Sequence, residues 1–430
     1  MLPIWWRFIP ISTGSPHCGR GLIRRASSST PIPPRCSGLE MSEAYFQKLQ
    51  AALIAAGRQL PTLVVDTERL AANMAAVRRM TAPSLALRVV EKSLPAPDLL
   101  RVVIAGLETN RLMSFHLPFV QQAAAAFPEA DILLGKPMPV GAVAGTSPTL
   151  DAQVHWLIDS PERLAEYAAL AAQSDRALRI CLEVDIGLHR GGFSLARAGE
   201  FAAALTRLRD DPNLHLTGLM GYEPHIARLP RLIASRARAL DAARAAYARF
   251  HALTVQTLGA GTAAKLIYNT GGSTTFMLYD GSGPETELAL ASALVKPTDF
   301  DLPALEALQP AAFIAAPVLK TVERPEIPMA PGLSRVLRLM GRSPERACFI
   351  YGGNWLADPC HPAGARRSAL FGHSSNQEMY DLPANSTLKP GDFLFFRPRQ
   401  SEALFLQFGD IAVFDGTAIT DWWPVWHETH

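Results

Sequence analysis

The strongest constraint on the fold is an alternation that runs from residue 61 to residue 268. Apolar, β-branched runs alternate there with Ala-rich stretches of helical spacing. The pattern predicts strands at 61–66, 85–90, 112–115, 132–134, 154–158, 178–184, 216–221 and 265–268. It predicts helices between most of them, at 69–79, 119–126, 161–172, 196–209 and 231–257. A strand followed by a helix, repeated eight times, is the period of a closed (β/α)8 barrel, an α/β TIM barrel. A doubly wound open sheet is the competing arrangement. It is disfavoured because no Gly-rich dinucleotide fingerprint follows the first strand.

The flanks read differently. Tyr45, Leu49, Leu53 and Ile54 share one face of a helix that Ser42 caps and Gly57 ends. Near Pro303 the alternation stops. Short strands are expected from there on, at 312–320, 334–339, 347–351, 393–396, 404–408 and 411–414. Turn residues such as Lys389-Pro390-Gly391-Asp392 and Asp415-Gly416 lie between them. The expected organisation is therefore a leader at 1–40, a barrel at 41–305 and a C-terminal all-β domain at 306–430. The first forty residues carry five arginines, Glu40 as their one acid, a Ser-Thr run and several prolines. They read as a disordered segment, either an Arg- and Ser-rich transit peptide or a start placed ahead of a working Met41.

A net charge of +2 gives no basic surplus for nucleic acid, and no apolar run is long enough for a membrane helix. Cys18, Cys36, Cys181, Cys348 and Cys360 are scattered without CxxC spacing, which fits a reducing, cytoplasmic setting better than a disulfide framework. The remaining expectation is a small-molecule enzyme. Lys92 stands at the charged tip of the apolar run 87–91, where barrel enzymes keep their chemistry. Desolvation and neighbouring cations can turn such an amine into a Schiff-base nucleophile. A surface lysine after a strand is the alternative. Thr270-Gly271-Gly272-Ser273-Thr274 follows the last expected barrel strand, with Asn269 before it. Paired glycines let backbone N–H groups approach an anion such as a phosphate, and the hydroxyls add donors. An ordinary Gly-Gly turn is the alternative there.

Five stretches together carry a resemblance. They are residues 61–66, Leu87 to Ser93, Glu183-Val184-Asp185-Ile186-Gly187-Leu188-His189-Arg190-Gly191-Gly192, Gly218-Leu219-Met220-Gly221-Tyr222-Glu223-Pro224-His225, and residues 270–274. In this order the chain resembles the fold-type III pyridoxal-phosphate enzymes, which have an alanine racemase N-terminal domain-like barrel. Within them it is most similar to the D-threonine aldolase and D-serine dehydratase group. Residues 388–392, 415–416 and 423–425 are similar to that group's closing segment.

The resemblance implies pyridoxal 5'-phosphate held as a Schiff base on Lys92. It puts Arg190 and Tyr222 beside the ring, with His189 next to that arginine, and gives His225 a substrate or proton-transfer role. It places Asn269, Thr270, Gly271, Gly272 and Ser273 around the phosphate, with Ser292 at a second position near it. It further implies a homodimer acting on a small amino acid, of D configuration. The reaction would be retro-aldol cleavage or dehydration of a β-hydroxy amino acid. Racemisation is the alternative, and a non-catalytic pyridoxal-phosphate binder a second one, disfavoured by the large β domain.

The group's metal site is altered here. Where it has a histidine and, two positions on, a cysteine or aspartate, this chain has Gln400 and Glu402. Glutamine is a poor zinc ligand, so at most a weakly held hard divalent cation is expected at Glu402. Cys360, His361 and His373 lack the spacing of a replacement site.

Overall fold

The first expected barrel strand lies outside the barrel. In chain order the strands are β1 (Thr62–Asp66), β2 (Ala86–Val90), β3 (Arg111–Ser114), β4 (Asp131–Leu134), β5 (Val154–Ile158), β6 (Leu178–Glu183), β7 (Leu214–Met220), β8 (Ile267–Thr270) and β9 (Glu287–Leu290). They continue with β10 (Ala312–Glu323), β11 (Arg346–Ile350), β12 (Ala357–His361), β13 (Arg366–Arg367), β14 (Met379–Leu382), β15 (Phe393–Pro398), β16 (Ile411–Phe414) and β17 (Ile419–Trp423). The closed barrel runs from β2 to β9, all parallel, with β9 returning to β2 through Ala86↔Glu287 and Val89↔Leu290. β1 instead joins the C-terminal sheet, antiparallel to β10 and parallel to β16. The eighth barrel strand is β9, at a run where the sequence pattern predicts no strand. The protein is described here as a computed structural model covering residues 41–228, 235–340 and 343–427. The leader at 1–40 and the start of the helix expected at 231–257 lie outside the described residues; that helix is seen as Arg236–Leu258.

The misplacement of β1 has a physical cause. All five of its residues are buried. A strand covered on both faces reads as a continuous apolar run, whichever sheet it enters. One cover is the helix Glu43–Ala55. Its Phe46, Leu49 and Leu53 pack on Val64, Phe313, Phe393, Phe395 and Phe414. Ser42 caps that helix by accepting from the Tyr45 N–H at 3.2 Å, as expected. Asp66 closes β1 and opens the helix Thr67–Met80 by accepting from the Arg69 N–H at 2.9 Å.

In the β layer, two expected strands are absent. Residues 404–408 form turns, and 334–339 fall within the helix Pro331–Leu339. The spacing of Leu333, Val336, Leu337 and Met340 is in fact helical. The sheet order is β13-β14-β11-β10-β1-β16-β17, with β15 branching to β10 and β12. β15 is tied to the end of the barrel. Arg397 makes a bidentate pair with Asp301, both bonds 2.8 Å, and donates to the Lys296 carbonyl. This anchor sets the loop after β15 over the C-terminal ends of the barrel strands.

Inside the barrel, near its N-terminal end, lies a buried charge network. Arg88 bonds Glu287 at 2.5 and 3.0 Å and Asp131 at 2.7 Å, and Asp131 also accepts from His155 at 2.7 Å. Burial opposes ionisation of Asp131, but the His155 hydrogen bond and the Arg88 charge outweigh it and hold its carboxyl well below the usual range. Breaking one member would leave an uncompensated buried charge.

Candidate active site

β2 delivers Lys92 to the C-terminal mouth of the barrel on a short 3-10 turn, Glu91–Ser93. Its ammonium lies 4.2 Å from the centroid of the Phe115 ring, which follows β3. Burial pushes the lysine pKa down. The nearby Glu402 carboxylate acts the other way, and the Arg190 and Lys136 charges add to the lowering. The sum is a lowered pKa, the condition under which a lysine amine becomes nucleophilic. The preceding residue, Glu91, points inward. It is fully buried, accepts a hydrogen bond from Ser114, and leaves Oε2 without a partner. Burial raises its pKa to about 8, against the Ser114 hydrogen bond.

The turn after β8 is built from below. Glu223, fully buried, accepts from the Thr275 hydroxyl at 2.7 Å, the Thr270 hydroxyl at 2.9 Å and the Gly271 N–H at 3.3 Å. Burial raises its pKa, while these donors work to lower it. Asn269 donates to Glu287 at 2.9 Å, inside the barrel. Asn269 and Thr270 therefore brace the turn rather than present their side chains at its mouth. Above them, Gly271 has φ +79°, and a Cβ on Gly272 would come within 3.1 Å of the Tyr222 ring. The next two N–H groups toward the mouth belong to Ser273 and Thr274. Among the described residues they and Gly272 N–H meet no protein acceptor. Three successive free donors in a Gly-Gly turn make a concave anion site. The Ser273 hydroxyl accepts from the N–H groups of Ala291 and Ala293, at 3.1 and 3.2 Å, and so couples this turn to the segment carrying Ser292.

The loop after β6 presents His189 and Arg190. It is closed by the Phe193 N–H to Glu183 carbonyl bond at 2.8 Å and the Asp185 N–H to Phe193 carbonyl bond at 2.9 Å. Asp185 accepts from the N–H groups of Gly187 and His189, and its other oxygen lies 2.7 Å from His189 Nδ1. These bonds hold the Asp185 carboxyl below the usual range although burial opposes them. His189 is 82% exposed. Asp185 is thus paired with His189 rather than with Arg190, whose guanidinium carbon sits 5.5 Å from the centroid of the Tyr222 ring. His225 lies close to His189 and Asp185, and a Cβ on Gly187 would meet its ring at 3.7 Å. Burial and the His189 charge lower its pKa, and its buried Nδ1 has no partner.

From the β layer comes a contact that spacing alone does not reveal. The Glu402 carboxylate reaches the barrel and accepts from Ser93 at 2.9 Å and Ser292 at 3.3 Å. Gln400 turns elsewhere and donates to Asp299 at 3.1 Å. Among the described residues no group of three or more His, Cys, Asp or Glu is arranged to hold a metal ion. Cys360, His361 and His373 are not brought together either. His361 stacks on Phe46 at 4.6 Å, and His373 bonds Glu378 at 2.9 Å. Sequence reasoning also passed over Glu91, Glu223, Phe115 and Lys136. For Glu223 the available signal was a carboxylate three residues past the end of the strand Leu214–Met220.

Lys92, the N–H cradle at 272–274, Arg190 and Tyr222 fit a phosphorylated aromatic aldehyde. Burial lowers the amine's pKa, the 272–274 N–H groups are free, and a Cβ on Gly272 would press on the Tyr222 ring at 3.1 Å. The comparisons agree in fold. A model of the alanine racemase N-terminal domain matches residues 65–290. No curated protein matches the sequence. Among solved structures, D-threo-3-hydroxyaspartate dehydratase from Delftia sp. HT23 is 16% identical with a TM-score of 0.64, covering 86% of this chain and 98% of that one. D-threonine aldolase from Filomicrobium marinum is 16% identical with a TM-score of 0.63, covering 85% and 94%. Alanine racemase from Corynebacterium glutamicum is 15% identical with a TM-score of 0.57, covering 79% and 90%. At these identities the likeness is one of fold.

Proposed function

The chain belongs to the alanine racemase N-terminal domain family of fold-type III pyridoxal-phosphate enzymes, and from that premise we propose that it is a lyase acting on a small β-hydroxy amino acid of D configuration. The observation that carries the reading is that Lys92 and the free N–H groups of 272–274 follow β2 and β8 at the same, C-terminal end of one closed parallel barrel. The cofactor, when bound, supplies an electron sink for the bond that breaks at the substrate's α carbon.

The chain's own residues do the rest. Lys92 is the amine that would hold the cofactor's aldehyde carbon, and it would be released as a free amine beside the substrate when the substrate's own amine takes its place. The 272–274 N–H groups hold the phosphate, with Glu223 fixing their turn from beneath. Arg190, over Tyr222, presents a positive charge to the ring or to the substrate carboxylate. His225, whose buried Nδ1 has no partner, and His189, held by Asp185, are the imidazoles to which we assign proton transfer at the substrate. Racemisation stands as the second reading. It is favoured by one observation: Gln400 is bonded to Asp299, so the two positions matching the relatives' metal ligands do not converge. We also propose a homodimer, on family grounds.

A panel of D- and L-amino acids tests the reading, scored for keto acid, aldehyde and inverted product. Aldehyde or keto acid from D-serine- or D-threonine-like substrates is expected, and turnover should survive a chelator. Inversion alone would establish the racemase instead. Turnover that a chelator abolishes and zinc restores would show that a metal is required.

A further inference from the structure

We propose that Glu402 decides which amino acids the lysine pocket accepts: a carboxylate fixed beside Lys92 that turns the substrate's side chain toward itself and rejects side chains bearing a second carboxylate. The proposal rests on the reading of Lys92 as the cofactor lysine.

Glu402 is held in place by design of the surrounding hydroxyls. The Ser93 hydroxyl donates to its Oε1 at 2.9 Å, and Ser292 stands 3.0 Å from Ser93 and 3.3 Å from the same oxygen. Ser401 adds a donor 3.3 Å from Ser292 and 3.4 Å from Oε2. Ser401, Ser292 and Ser93 can therefore donate in sequence, ending on the carboxylate. Ser93, Ser292 and Ser401 are buried. The arginines on the same stretch are committed elsewhere, Arg397 to Asp301 and Arg399 to Asp299 and Asp358.

The charges around Lys92 are thus divided. Arg190 and Lys136 present positive charge, and Glu402 presents negative charge. An α-amino acid that brings its amine to Lys92 carries its α-carboxylate along. That group is drawn to the cations and repelled by Glu402, so the side chain is left on the Glu402 side. A hydroxyl or amide there can donate to the carboxylate. A second carboxylate there meets a like charge in a partly desolvated site, where separations of a few ångströms correspond to roughly tenfold to hundredfold in binding. The relatives named for D-threo-3-hydroxyaspartate take a substrate with that second carboxylate. Glu402 sets this chain apart from them.

The test uses the holoenzyme and the isosteric pair D-asparagine and D-aspartate, each also as the L form. Binding is read at equilibrium from the visible band of the bound cofactor. The wild type should bind asparagine at least about tenfold more tightly than aspartate. Glu402→Gln should narrow that ratio to about threefold or less, mainly by tightening aspartate. Glu402→Asp keeps the charge and should keep the discrimination. A wild type that binds the pair equally, or a Glu402→Gln enzyme with an unchanged ratio, overturns the proposal and leaves the Lys92 reading intact. A wild-type band that responds to no amino acid overturns both.

Discussion

Glu91 and Lys92 are adjacent in sequence and opposite in fate. The lysine reaches the mouth, and the glutamate is sealed beneath it against Ser114. With a folded pKa raised to about 8 from 4.5, Glu91 keeps its proton at neutral pH in the folded chain and loses it in the unfolded one. The folded state then binds more protons between these values, so this group makes stability fall as pH rises from about 4.5 through 8. Glu91→Gln should remove that slope. Relative to wild type, the variant should gain about 4 kcal/mol between pH 5 and pH 8.5, read by denaturant melts at both values. An unchanged pH slope would mean that the carboxyl is ionised in place. Residue-scale chemistry of this kind was partly legible. Lys92 stood out because a charged tip ended an apolar run, whereas Glu91, in the same run, gave no sign of which way it pointed.

At the scale of elements, the site depends on loops whose backbone only certain residues can adopt. Gly192 has φ +88°, and a Cβ there would lie 2.8 Å from the Glu183 carbonyl oxygen. Gly192→Ala should cost roughly 1–3 kcal/mol and loosen the turn that aims His189 and Arg190. A melting temperature equal to wild type would show that the loop relaxes without strain. The β/α alternation was legible because each barrel strand is a short apolar run between helices of clear period. β9 escaped because Glu287 opens it and Leu288 to Leu290 are too few to show a period. β1 was read as a strand but assigned to the wrong sheet, since burial on both faces erases the alternation that distinguishes sheets. The resemblance marked Glu402 as a site position, but its contact with Ser93 was not legible. It joins residues more than three hundred positions apart and depends on the Arg397–Asp301 anchor.

For the whole molecule, the path of β1 matters most. It precedes the barrel in sequence but completes the sheet formed by the last third of the chain, between β10 and β16. We therefore propose that a division at 305/306 separates two architectures that do not fold apart. A fragment of residues 41–305 would expose Leu63, Val64 and Val65 together with the apolar face of the helix Glu43–Ala55. It should aggregate or lack a cooperative melt, while the full chain unfolds in one transition. A soluble, cooperatively melting fragment would contradict this. The site itself belongs to both architectures, with Lys92 on the barrel and Glu402 above it. The most direct test of the account is to load the protein with pyridoxal phosphate, reduce it with borohydride and map the labelled peptide. A band at roughly 420 nm is expected before reduction and the label on Lys92, with both lost in Lys92→Ala. A label on another lysine, or a Lys92→Ala protein that keeps the band, would contradict it.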